Sequence, residues 1–183
     1  MPALSQRPAN RVRRRACRRG FDAVGEQPGD QEDIAGRPFV GPAGKVLDRA
    51  LEAAEIERAS LYITNAVKHF KNEPRGKRRI HKKPDTSEID VCRWWLDQEL
   101  AIVQPRIVVA LGVTAARSLT HKALTINANR GRLIALPSGL QGVITVHPSF
   151  LLRLREDADK RGEFDRLVKD LRFAAQASRE DRP

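Results

Sequence analysis

An α/β domain built on a largely parallel sheet is what this sequence predicts, on three observations. Short β-branched runs, "LYITN" (61–65), "RIVVAL" (106–111) and "VITVH" (143–147), alternate with stretches of helical periodicity. Each run ends in a polar or glycine-containing stretch. A length of 183 residues suits one domain with a real core and is short for two. Between the strands, "GPAGKVLDRALEAAEI" sets Val46, Leu47, Ala50, Leu51 and Ala54 on one helical stripe, with a proline near its start as helices favour. A second helix opens at Asp85 with Glu88 three residues later, the spacing of a capping box, and buries Ile89, Cys92, Leu96, Leu100 and Val103. The last helix, over about 161–176, is charged and amphipathic. No internal repeat and no interdomain linker is visible, so residues 21–183 are expected to form one domain after an Arg-rich tail, 1–20, expected to be disordered.

Composition limits the classes of function. The apolar fraction of 40% is ordinary, and no apolar run approaches the roughly 18 residues of a membrane span. Two cysteines, Cys17 and Cys92, make no disulfide framework, so the expected setting is the reducing cytoplasm and the expected state a monomer without membrane contact. The net charge of +11 is concentrated in two places. Seven arginines and no acid fall within residues 1–20; eight cations and one acid fall within 68–83. For the internal cluster this is the electrostatic footprint expected of a nucleic-acid-binding surface. For the tail, a transit peptide or an unfolded extension fits as well.

In open α/β sheets, ligands bind beyond the carboxyl ends of the strands. The glycine- and acid-rich stretch 24–44, "VGEQPGDQEDIAGRPFVGPAG", is too long for a plain connector. Asn65 ends "LYITN" and leads to Lys68, His69 and the basic run "GKRRIHKKP"; "VITV" leads to His147-Pro148-Ser149. Carboxylates, a carboxamide and imidazoles should therefore converge on one sheet edge beside a cationic cluster. Singly, each has an ordinary explanation: Asn65 as a turn former, His147 as a core histidine, Phe39 as packing under the loop. It is their joint occurrence in strand order that points to a site.

The segments "GEQPGDQEDIAGRPFVGPAG", "TNAVKHF", "GKRRIHKKP", "CRWWL" and "VHPS" together resemble the iron–sulfur uracil-DNA glycosylases of family 4, and specifically their offshoot UdgX, distinguished by "KRRIH". The resemblance implies a three-layer α/β/α sandwich around a mostly parallel four-stranded sheet. Its first strand would be formed by "FDAV" alone or be truncated. It implies uracil-containing DNA as substrate, single-stranded preferred, with the target base extruded because its glycosidic bond is unreachable inside the stack. By correspondence, Phe39 stacks on the uracil, Asn65 reads its amide edge, and His147 hydrogen-bonds the carbonyl oxygen on which charge develops. The loop Glu26, Gln27 to Asp30 surrounds sugar and base. Lys77, Arg78, Arg79, Lys82 and Ser149 contact the DNA.

His81 acquires the sharpest role from the same resemblance: attack on the anomeric carbon, leaving the protein covalently attached to abasic DNA after one turnover. Such an attack needs a lone pair on one ring nitrogen while an acceptor holds the proton of the other, and Glu26 is the candidate acceptor. The alternatives are conventional multi-turnover excision and non-catalytic binding of uracil-DNA. The family also implies a [4Fe–4S] cluster, for which Cys17, His69 and Cys92 are candidate ligands; Gly20 stands where a further cysteine is expected.

Overall fold

The computed structural model describes residues 21–180. Its centre is a five-stranded sheet whose strands are β1 (Phe21–Gly25), β2 (Ile63–Asn65), β5 (Ile107–Leu111), β6 (Leu133–Ala135) and β7 (Gln141–Thr145). They lie in the order β2-β1-β5-β7-β6. β1, β2, β5 and β7 are mutually parallel and make up the expected four-stranded core of the sheet. The expected count falls one short, because β6 adds an antiparallel edge by pairing with β7. "FDAVG" is enough for the first strand: all of its five residues are buried, between β2 and β5. The Arg-rich tail 1–20, with Cys17 and Gly20, lies outside the described residues.

Alternation along the strands feeds two cores. Phe21, Ala23, Ile107, Val109 and Leu111 face one side, packing with the helices α2 (Pro42–Ala53), α6 (Pro148–Arg153) and α7 (Asp157–Glu180). Val24, Val108, Ala110 and Ile144 face the other, against α3 (Thr86–Val103) and α4 (Val113–Thr120). Helices on both faces make the three-layer sandwich. The predicted stripe of α2 is largely observed, with Leu47, Ala50 and Leu51 fully covered, each large side chain contributing about 2 kcal/mol by leaving water. α3 starts with the expected capping box: the Asp85 carboxylate accepts from the Glu88 amide at 3.0 Å, and Glu88 accepts from the Asp85 amide at 2.8 Å. Its stripe holds through Leu100; Val103 is only half-buried near the helix end.

Two pieces of the chain take forms that periodicity did not reveal. A short helix, α1 (Asp30–Ala35), interrupts the acidic loop, and the basic run is an antiparallel hairpin of β3 (Asn72–Arg75) and β4 (Arg78–His81). The hairpin carries polar residues on both faces, so no alternation marks it. Gly76 at φ +60 opens its two-residue turn, the conformation that favours glycine there.

Candidate active site

The chain runs from β1 to β2 on one side and later to β5 on the other, so the carboxyl ends of β1 and β5 flank a topological switch point. Such a point opens a crevice where ligands bind. Glu26 directly follows β1. Across the crevice, Thr114 in the first turn of α4 donates to its Oε2 at 2.6 Å. A cavity of about 820 Å³ opens here, and Glu26, Phe39, Asn65, His81, His147 and Ser149 are among its lining. Residues from five separate stretches of sequence thus share one wall-to-wall space.

The hairpin brings His81 to this cavity and is held at two levels. At its base, the Gln27 amide nitrogen donates to the carbonyls of Lys71 (3.2 Å) and Lys82 (3.1 Å), one in each arm, while its oxygen accepts from the Lys71 amide. Higher up, Arg79 donates to Asp30 at 2.6 Å and to Asp33 at 2.7 Å. Phe70 lies beneath, 5.2 Å from the Arg79 guanidinium and 6.2 Å from the His81 ring centroid. These contacts change the expected assignments. Gln27 and Asp30 line the cavity, but the Gln27 carboxamide and Asp30 Oδ1 anchor the hairpin, and Arg79 is paired with two carboxylates. Lys77, Arg78 and Lys82 are exposed, and no ion pair among the described residues engages their side chains. His81 is half-exposed at the rim, its Nε2 3.3 Å from Glu26 Oε1. The charged group touching it is therefore an acid, although its sequence neighbours are cations.

Glu26 and His147 are electrostatically linked. Burial works to raise the Glu26 carboxyl pKa, but hydrogen bonds from His81 and Thr114, together with electrostatic attraction to His147 and His81, outweigh it and hold the group below its ordinary value. His147 caps α6: its Nδ1 accepts from the Ser149 amide at 3.1 Å and meets Ser149 Oγ at 2.8 Å. With Nδ1 accepting, the proton of the neutral ring sits on Nε2, which makes that nitrogen a donor. The imidazole also stacks on Phe39, with centroids 5.6 Å apart.

Burial, the largest influence, pushes the His147 pKa down from 6.5 to about 4. Between those values the unfolded chain binds a proton that the folded protein refuses, so stability falls as pH drops through this window. The loss is expected to total at most about 3 kcal/mol. Glu26, depressed below 4.5, adds its own loss only at lower pH. Urea unfolding at pH 7 and pH 5 checks this; His147→Gln should flatten the difference, and an unchanged slope in that variant would place the titration elsewhere.

Asn65 is held from behind. The half-buried Lys68 donates to the Asn65 carbonyl at 2.7 Å, to Thr64 Oγ1 at 3.0 Å and to Glu99 at 2.7 Å. Those bonds fix the backbone and leave the Asn65 carboxamide without a hydrogen-bond partner among the described residues, although the residue is only 8% exposed. Lys68→Met leaves the Glu99 carboxylate without its cation, held only by the Thr64 hydroxyl at 2.8 Å, and the Asn65 carbonyl without this donor; it is expected to lower unfolding free energy by about 2 kcal/mol, read as a lower urea midpoint.

Of the expected cluster ligands, His69 and Cys92 come together, with Nδ1 and Sγ 3.8 Å apart, and Glu88 stands 4.0 Å from the other ring nitrogen. No group of three or more His, Cys, Asp and Glu among the described residues is arranged to hold a metal. An all-cysteine [4Fe–4S] site needs four thiolates, and the whole chain has two cysteines. The described residues do not complete a cluster site.

Thr114 contacts Glu26 without belonging to any motif, whereas Phe70, beneath the hairpin, closes the segment "TNAVKHF". Thr114 could have been found by its place, since it follows the end of "RIVVAL" as Glu26 follows that of "FDAVG".

The site defines a class: a cavity at the carboxyl edge of a parallel sheet, lined by an unpartnered carboxamide, an imidazole donor and an aromatic ring, beside a basic hairpin. The sequence model of the Uracil DNA glycosylase superfamily matches residues 23–172. The chain is 38% identical over 139 residues to the type-4 uracil-DNA glycosylase of Thermotoga maritima, covering 75% of this chain and 69% of that protein. To the type-4 enzyme of Pyrobaculum aerophilum it is 34% identical over 156 residues, 80% and 74% of the two chains. To that of Archaeoglobus fulgidus it is 31% identical over 144 residues, 73% and 69%. This chain belongs to the uracil DNA glycosylase superfamily, and it is related to the family-4 branch. No helix among the described residues is long and apolar enough to cross a membrane.

Proposed function

We propose that the protein excises uracil from DNA, preferring single strands, and that His81 then captures the abasic sugar. The observation that carries this reading is the position of Glu26, 3.3 Å from His81 and hydrogen-bonded to Thr114 in a cavity that Asn65 and His147 also line. Phe39 stacks on the extruded base, and the Asn65 carboxamide pairs with its amide edge. The C1′–N1 bond breaks and its electron pair leaves on uracil, whose developing charge His147 Nε2–H stabilises. A ring nitrogen of His81 then donates its lone pair to C1′. The proton on the other nitrogen passes to Glu26, leaving a neutral alkylated imidazole. Lys77, Arg78 and Lys82 supply the phosphate contacts, with Ser149 near the backbone.

The test is denaturing electrophoresis of the protein after mixing with a labelled uracil-containing single strand. A band that stays retarded under denaturation, together with free uracil, is the expected result. Uracil released in excess of protein, with no retarded band, favours conventional excision and reduces His81 to a binding residue. Neither band nor uracil leaves only a binding module. For a cluster, His69 and Cys92, 3.8 Å apart, would serve as ligands together with Cys17, which lies outside the described residues. Visible absorbance and iron content of anaerobically purified protein, compared with Cys92→Ser, test that part.

A further inference from the structure

Phe39 has a φ of +54, a left-handed conformation that is a real outlier for a bulky side chain. Such a backbone persists only where its surroundings over-determine it. Three features do so. Arg58, on the 3-10 turn Arg58–Ser60 before β2, donates from Nη2 to the carbonyls of Pro38 and Phe39, both at 3.1 Å. Its other terminal nitrogen is hydrogen-bonded to Asp48 of α2. In the first turn of α2, Gly44 lies so close to the Phe39 carbonyl that a Cβ there would collide with it. Arg58 is absent from the large cavity; it lines a separate one of about 430 Å³ behind Phe39, with Asp48, Leu61 and Ile63.

We infer that Arg58 is a positioning residue that sets the plane of the Phe39 ring, and through it the depth and tilt at which the extruded base is held. This rests on the reading of Phe39 as the stacking residue. The ring has little freedom to be misplaced: it stacks on His147, and a Cβ added at Gly25 would strike both it and Asn65 Oδ1. Turning Phe39 thus shifts the base relative to its carboxamide reader and its imidazole donor together. The guanidinium meets the two adjacent carbonyls with one nitrogen and the Asp48 carboxylate with another, in a rigid fork; a lysine would have to reach all three acceptors from a single nitrogen on a flexible stem, which fixes the backbone less well.

Single-turnover uracil release, measured with full-length protein in excess over uracil-containing single-stranded DNA, tests this with Arg58→Met, Arg58→Lys, Phe39→Ala and the double variant Phe39→Ala/Arg58→Met. Arg58→Met should lower the maximal rate about tenfold to a hundredfold, as small misplacements do, with the half-saturating DNA concentration nearly unchanged. Arg58→Lys should fall between. In the Phe39→Ala background, the Arg58 change should cost nothing further. An equal slowing in both backgrounds would mean that Arg58 acts on general stability and would overturn the inference. So would an unaffected Arg58→Met beside an impaired Phe39→Ala, which leaves the stacking role intact. An unimpaired Phe39→Ala removes the stacking role itself, and this inference with it. Should Arg58→Met fail to fold, Asp48→Asn at the surface loosens the same anchor; it should slow release in the same direction, and only while Phe39 is present.

Discussion

Replacing His81 with serine is expected to abolish the denaturation-resistant protein–DNA band and to let uracil accumulate beyond one equivalent of protein. The reason lies in what remains. Phe39, Asn65 and His147 still hold the base and stabilise its departure, and the space vacated by the imidazole admits water next to the Glu26 carboxylate. Glu26, kept ionised by its hydrogen bonds despite burial, can accept a proton from that water. The hairpin should survive, since its anchors are Gln27 and Arg79 and do not include His81. Mass spectrometry after exposure to uracil-DNA gives the clearest readout. An adduct persisting in the serine variant would assign the linkage to another residue, and absence of uracil from both proteins would remove the catalytic reading.

His147→Ala should slow uracil release about 10²- to 10³-fold, the usual cost of deleting one donor to a developing anion. The geometry dictates which ring nitrogen matters. Nδ1 is committed to the Ser149 amide, so Nε2–H faces the cavity as donor, and a low pKa keeps the ring in that neutral form at physiological pH. Because the bond strengthens as charge builds on the leaving base, the loss should appear in the maximal rate more than in apparent affinity. An effect confined to affinity would make His147 a ground-state contact. Thermal melting of the same variant separates this from the loss of its α6 cap.

Much of the architecture was legible in the chain. "RIVVAL" and "VITV" announce strands by their β-branched runs, and the Asp85–Glu88 spacing announces a helix start, because these signals arise between neighbours in sequence. Asn65 and His147 could be placed at the site for a related reason: Asn65 ends β2 and His147 stands two residues past the end of β7, and parallel strands all end at one edge. The hairpin was not legible, since "KRRIH" has polar residues on both faces and is held by distant partners. Nor was the fate of Arg79. A cation among cations reads as a phosphate ligand, yet Asp30 and Asp33, brought near by a helix some 46 residues earlier in the chain, claim it.

By itself, then, the amino-acid order determined the parallel α/β frame, the cationic segment and which side chains stand at strand ends, all of them consequences of local periodicity and capping. Only the tertiary structure decided that Glu26 lies between His81 and Thr114, that Gln27 anchors a hairpin and that Arg58 braces Phe39. Each of those contacts joins segments far apart in the chain, and packing across the switch point, which no local propensity encodes, sets their distances.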